Sequence, residues 1–191
     1  MTRGRLEAFS DAVIAIVMTI MVLELVPPHE PTLEALADTW PVFIAYVLSF
    51  VHLAIYWNNH HHLLQAAKTV NGRVLWMNML LLFWLSLVPF GTAWIGDTQF
   101  ASIPMAIYGG ILLMSAFSYG LLVGALRRAP GQTPTLAEAL AGDIKGRISP
   151  LFYLSAIPLA FVAPLASFGL YVLVAAMWLI PDQRIERRIA T

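Results

Sequence analysis

Apolar residues run along this chain in six blocks separated by short polar breaks, at about 5–26, 41–66, 72–95, 101–126, 148–163 and 165–180. A helix needs about 20 mostly apolar residues to cross the hydrocarbon of a bilayer, and all six blocks qualify on a coarse reading. The last two are shorter and joined only by "APLAS" (163–167), which predicts a tight helical hairpin. The expected fold is an all-α membrane protein of six transmembrane helices, one domain over residues 1–191 with no internal repeat. "PPHEPTLEALADTWP" (27–41) is a Pro-punctuated loop with room for a short helical turn. "TLAEALAG" (135–142) has the pattern of a capped interfacial helix in the longest loop.

Polar residues interrupt the blocks at three places. Ser10 and Asp11 fall in the first, His60, His61 and His62 in the second, and Asn78 in the third. Counted from the same end of antiparallel helices, all lie about five or six residues in, a shared layer roughly 8 Å below one surface. Ionisable groups inside a span usually face the bundle interior and pair there. The expectation is a lock of Asp11 with one of the histidines, with Arg5 one turn below. Snorkelling of Arg5 and His62 to the interface, and a purely structural clamp, are the plain alternatives. Metal or haem is not assigned: His52 and His60 share a helix face, but consecutive histidines point about 100° apart and cannot all meet one ion.

The same rotation divides the first helix. Phe9, Ala12, Ile16, Thr19, Ile20 and Leu23 fall within about 80–100° of one line, and Ser10, Asp11, Ile14, Met18 and Met21 gather opposite. Spacing alone makes the first stripe a lipid-facing or packing surface.

Composition agrees with a bilayer, with 59% hydrophobic and 12% charged residues. Net charge is zero, which gives a nucleic-acid partner no support, and the absence of cysteine excludes disulfides and thiolate metal sites. The distribution of charge says more than its sum. All 11 basic residues (Arg3, Arg5, Lys68, Arg73, Arg127, Arg128, Lys145, Arg147, Arg184, Arg187, Arg188) fall on the N-terminal side of a six-span topology. Glu24, Glu30, Glu34, Asp38 and Asp97 occupy the other side without a base. The positive-inside rule then puts both termini in the cytoplasm, in a multi-pass cell-membrane protein. Trp40, Trp76, Trp94 and Trp178 stand near block ends, as interfacial anchors do.

"RLEAFSD" followed by "AIVMT" resembles R-x-x-x-F-S-D…A-I-x-x-T, the signature of the transmembrane protein 175 family of potassium channels. "WNNHH", Asn78 and "PFGT" (89–92) are similar as well, so the motifs concentrate in residues 5–92. The resemblance implies a homotetramer of single six-helix units, conducting K⁺ and other monovalent cations without a cofactor. It implies a central pore lined by the first helix, constricted at Ile16, with Thr19 and Ile20 in the next layer and Leu23 above. It also implies that Arg5, Phe9, Ser10 and Asp11 tie that helix to Trp57, His60, His61 and Asn78. No T-V-G-Y-G-type filter is present, so K⁺ over Na⁺ discrimination is expected to be modest and to rest on hydration cost. Glu24 and the acidic loop would concentrate cations at the outer mouth. The competing function is a proton-coupled secondary transporter using Asp11 and His60, against which the first three blocks show no evident Gly or Pro break. No motif supports an enzyme.

Overall fold

The computed structural model describes residues 2–131 and 144–179, all of them helix or short connections. The predicted interfacial helix at 135–142 and the tail arginines Arg184, Arg187 and Arg188 lie outside the described residues. Among the described residues, eight α-helices follow in order: α1 (Arg3–Ile20), α2 (Leu33–Asp38), α3 (Trp40–Ala66), α4 (Gly72–Ser86), α5 (Val88–Asp97), α6 (Ser102–Arg127), α7 (Ile144–Leu159) and α8 (Pro164–Leu179). Four of the described stretches are long and apolar enough to cross a membrane: Arg3–Glu24, Trp40–Ala66, Gly72–Asp97 and Ser102–Arg127. α7 and α8 have 16 residues each, about 24 Å of helix and short of the roughly 30 Å hydrocarbon. They pack against each other as a hairpin, with α6 against α7 and α3 against α8.

Two boundaries differ from the sequence expectation. The first block does not stay α-helical to its end; Met21–Glu24 tightens into a 3₁₀ turn. That turn rises about 2.0 Å per residue, so Ile16 and Leu23 stand about 12 Å apart along the axis, where continuous α-helix gives about 10 Å. The third block is broken. Pro89 has no N–H for the Leu85 carbonyl, so α4 stops at Ser86 and Leu87 N–H turns back to Trp84 O at 3.2 Å. The first three spans therefore do contain a proline break. In the fifth block α7 carries two interior prolines, Pro150 and Pro158.

The bend lets α5 press against its neighbours. A Cβ on Gly96 would meet Val42 Cα at 2.7 Å, so only glycine allows this approach of α5 to α3. Beside it, Thr92 Oγ1 lies 2.6 Å from Ser49 Oγ, which lies 2.8 Å from the Tyr108 hydroxyl. This buried cluster ties α5, α3 and α6 together, three helical turns along α3 from His60. In the 27–41 loop, α2 is the predicted helical turn, opened by Thr32 accepting from Ala35 N–H at 3.2 Å.

Candidate functional site

α1 packs on α3 and α4 through one stripe, Leu6, Ser10, Ile14, Val17 and then Met21 on the 3₁₀ turn, all buried. The three- and four-residue spacing of these positions is that of a single helix face. The polar members of that face meet partners at two levels.

The first level is buried. His60 and Asn78 have no exposed surface, and neither has Ser10. His60 Nε2 donates to Asn78 Oδ1 at 2.7 Å, Asn78 Nδ2 donates to Ser10 Oγ at 2.9 Å, and Ser10 Oγ donates to Leu6 O at 2.8 Å. Asn78 and Ser10 each accept once and donate once, so the relay joins α3, α4 and α1 in one sense. Asn71 makes this possible from below: it caps α4 by accepting from Val74 N–H at 3.0 Å, which sets Asn78 at the height of Ser10. Within a membrane bundle, such interhelical bonds hold register where apolar packing alone would not.

The second level faces the solvent edge. Trp57 Nε1 donates to Asp11 Oδ1 at 3.1 Å and its ring stacks on His61 with centroids 5.8 Å apart. His61 Nδ1 lies 3.2 Å from Glu7 Oε1, off the direction of a hydrogen bond, and its Nε2 is 2.8 Å from the Gln65 side-chain amide. Glu7, Asp11 and His61 bring ligand atoms within 4.8 Å of one another and are the described residues best placed to hold a metal.

This arrangement revises the expected lock. Asp11 is bound to Trp57 and not to a histidine, and the acid beside a histidine is Glu7, one helical turn earlier on the same face. Arg5 is exposed and makes no hydrogen bond or ion pair among the described residues. Arg3 takes the bridging role instead, donating to Gln65 O at 3.0 Å and Ala67 O at 3.2 Å at the end of α3. Two residues along a helix is about 200° of rotation, so one of the pair had to face away. Phe9 is 44% exposed and stands apart from the network, on the outward face.

That outward face is the other half of the site. Phe9, Ala12, Ile16, Thr19, Ile20 and Leu23 all reach the surface, Ile16 at 57% and Leu23 at 74% exposure. The Thr19 hydroxyl donates to Ile16 O at 2.9 Å, which leaves its oxygen lone pairs available on that surface. Glu24, exposed, ends the 3₁₀ turn beyond Leu23. Two features escaped the sequence: Glu7, visible as the residue four before Asp11, and the Ser49–Thr92–Tyr108 cluster, signalled only by "PFGT".

Fold and site together define a multi-pass helical membrane protein whose first helix is anchored by a buried polar relay and presents an apolar face outward. Residues 5–89 match the family model described as the endosomal/lysosomal potassium channel TMEM175. A potassium channel of Chryseobacterium sp. (strain P1-3) is 50% identical over 189 residues, 99% of this chain and 98% of that protein. The crystal structure of a lysosomal potassium-selective channel TMEM175 homolog from Chamaesiphon minutus superposes with a TM-score of 0.82 at 29% identity, covering 93% of this chain and 96% of that one. The endosomal/lysosomal proton channel TMEM175 of Gallus gallus is 39% identical over 75 residues, 33% of this chain and 15% of that protein. The chain belongs to the TMEM175 family.

Proposed function

We propose that this protein is a potassium-permeable cation channel of the cell membrane, a homotetramer of six-helix subunits with both termini in the cytoplasm and α1 lining a central pore. The observation that carries the pore assignment is the outward face of α1. An apolar stripe with one hydroxyl at its middle lies opposite a face held rigidly in the subunit. Four copies around an axis would form two apolar collars, at Ile16 and Leu23, about 12 Å apart with Thr19 and Ile20 between them. A cation must shed water to pass an apolar collar that returns no ligands, so conduction is slow and favours the more easily dehydrated K⁺ over Na⁺ by a modest factor. Glu24 beyond Leu23 raises the local cation concentration at the outer mouth. Ser10, Asp11, Trp57, His60, His61 and Asn78 orient the helix and do not touch the ion.

A proton-coupled transporter working through Asp11 and His60 has less support. The two groups are not hydrogen-bonded to each other, and the relay from His60 ends on a backbone carbonyl of α1. The test is flux into liposomes with K⁺, Na⁺ and proton gradients imposed separately. The channel reading predicts electrogenic K⁺ flux that needs no counter-gradient. Strict dependence of K⁺ movement on an opposing proton gradient would replace it with the transporter.

A further inference from the structure

At the solvent edge of the α1–α3 contact, Glu7 and His61 meet without bonding. His61 Nδ1 is itself buried and has no hydrogen-bond partner, although Glu7 Oε1 lies 3.2 Å away. A shared proton would draw the nitrogen and the oxygen into line, and they are out of line. Two ligands of one zinc-like ion have no such need. Bound at about 2.0–2.1 Å in a tetrahedral shell, they stand about 3.3 Å apart with both lone pairs aimed at the ion between them.

Asp11 supplies the third ligand. It lies one turn from Glu7 on the same face of α1, and the three side chains bring ligand atoms within 4.8 Å of one another. Asp11 Oδ1 accepts from Trp57 Nε1 at 3.1 Å, which leaves its second oxygen free. The same indole stacks on His61, so one side chain orients two ligands. The other ring nitrogen of a metal-bound histidine usually donates to an oxygen acceptor. His61 Nε2 has the Gln65 side-chain amide at 2.8 Å, and a half-turn of that amide presents its oxygen. Among the described residues no Lys or Arg pairs with either carboxylate. Side-chain exposure is 17% at Glu7 and 31% at His61, which shields the cluster but leaves an ion a way in.

We propose that Glu7, Asp11 and His61 bind one divalent transition-metal ion per subunit, of the Zn²⁺ class, which clamps α1 to α3 at the solvent edge. Imidazole favours Zn²⁺ over the hard ions Mg²⁺ and Ca²⁺, and three protein ligands leave a fourth position for water. The chain has no cysteine, so no thiolate competes for the ion. The proposal does not depend on the pore assignment, and its failure would leave that assignment untouched.

Calorimetric titration of the full-length protein, purified without a polyhistidine tag and stripped with a chelator, tests it with ZnCl₂, CoCl₂ and MgCl₂. The expected result is one Zn²⁺ per subunit with a raised melting temperature, Zn²⁺ tighter than Co²⁺, and no binding of Mg²⁺. Bound Co²⁺ shows the intense visible band of a four- or five-coordinate ion. Glu7→Gln and His61→Phe each weaken Zn²⁺ by about a hundredfold, and Gln65→Leu by about tenfold, as loss of a ligand's outer partner does. Both ligand positions are partly exposed, and phenylalanine at 61 keeps the stack on Trp57. His29→Gln, in the loop ahead of α2, changes nothing. No stoichiometric Zn²⁺ binding, equal binding of Mg²⁺, or Zn²⁺ binding that survives both Glu7→Gln and His61→Phe would each overturn the proposal. A weak octahedral Co²⁺ spectrum in the unmodified protein would overturn it without any variant. Loss of Zn²⁺ on His29→Gln would overturn it in favour of an adventitious site in the outer loop.

Discussion

The two faces of α1 invert what a soluble helix shows. Its buried side carries Ser10 with Glu7 and Asp11 at the edge, and its exposed side carries Phe9, Ile16, Ile20 and Leu23. In a bilayer both choices are cheap only in these positions. A polar group facing lipid has no partner, whereas one facing α3 and α4 finds His60 and Asn78. Apolar groups facing outward lose nothing to lipid, so their exposure alone does not distinguish a lipid surface from a pore lining. What separates the two uses is fixation. A lipid-facing helix tolerates rotation, but a pore helix must hold its stripe in register, and the relay from His60 to Leu6 O fixes α1 in the way the proposed pore lining requires.

The largest effect should come from the buried face. His60→Ala removes the donor to Asn78 and leaves a cavity among residues with no exposed surface, at a cost of about 2–4 kcal/mol. The expected outcome, read by size-exclusion chromatography and thermal unfolding of the purified protein, is a lower melting temperature and loss of the assembled oligomer. An unchanged profile would mean that the relay does not hold α1.

Next comes the exposed face. Ile16→Ala should raise K⁺ flux several-fold and lower the K⁺ preference over Na⁺ with little change in stability, because a 57% exposed side chain contributes little to the subunit core. Ile107→Ala on α6, also exposed, should do neither. Ile14 is a poor control despite lying opposite Ile16, since it is fully buried and its replacement would unfold the helix contact.

Asp11→Asn should be milder still. The amide oxygen can accept from Trp57 Nε1 as the carboxylate does, so stability should fall by about 1 kcal/mol or less and selectivity should stay constant. A shifted K⁺/Na⁺ preference at normal expression would put Asp11 on the ion path. The smallest contrast lies between neighbours: Arg3→Gln loses the two carbonyl contacts that close α3, whereas Arg5→Gln should stay within about 0.5 kcal/mol of the parent.

Periodicity makes the two faces of α1 legible in the amino-acid sequence, because 3.6 residues per turn fixes which side chains share a side. Depth counting likewise brings Ser10, His60 and Asn78 to one level, since rise per residue is the same in every α-helix. Pairing is not legible. Glu7 and Asp11 sit one turn apart on one face, and which of them meets His61 depends on where the Trp57 indole lies between them. The choice between Arg3 and Arg5 depends on the exact end of α3, and helix ends are the least sharply defined part of a helix. The tightening at Met21–Glu24 and the bend at Leu87 are backbone events; the second has a visible cause in Pro89, and the first has none.

The central claim is that the outward face of α1 meets ions and not lipid. The chain contains no cysteine, so single cysteines can be placed in an otherwise unreactive background. The direct measurement is K⁺ flux through Thr19→Cys, Leu23→Cys and Ile107→Cys proteins before and after a membrane-impermeant, thiol-reactive cation. Block at Thr19 and Leu23, slowed by a high K⁺ concentration, with no effect at Ile107, is the predicted result. No block at either α1 position in an assembled, conducting protein would contradict the account and make the stripe a lipid or packing surface.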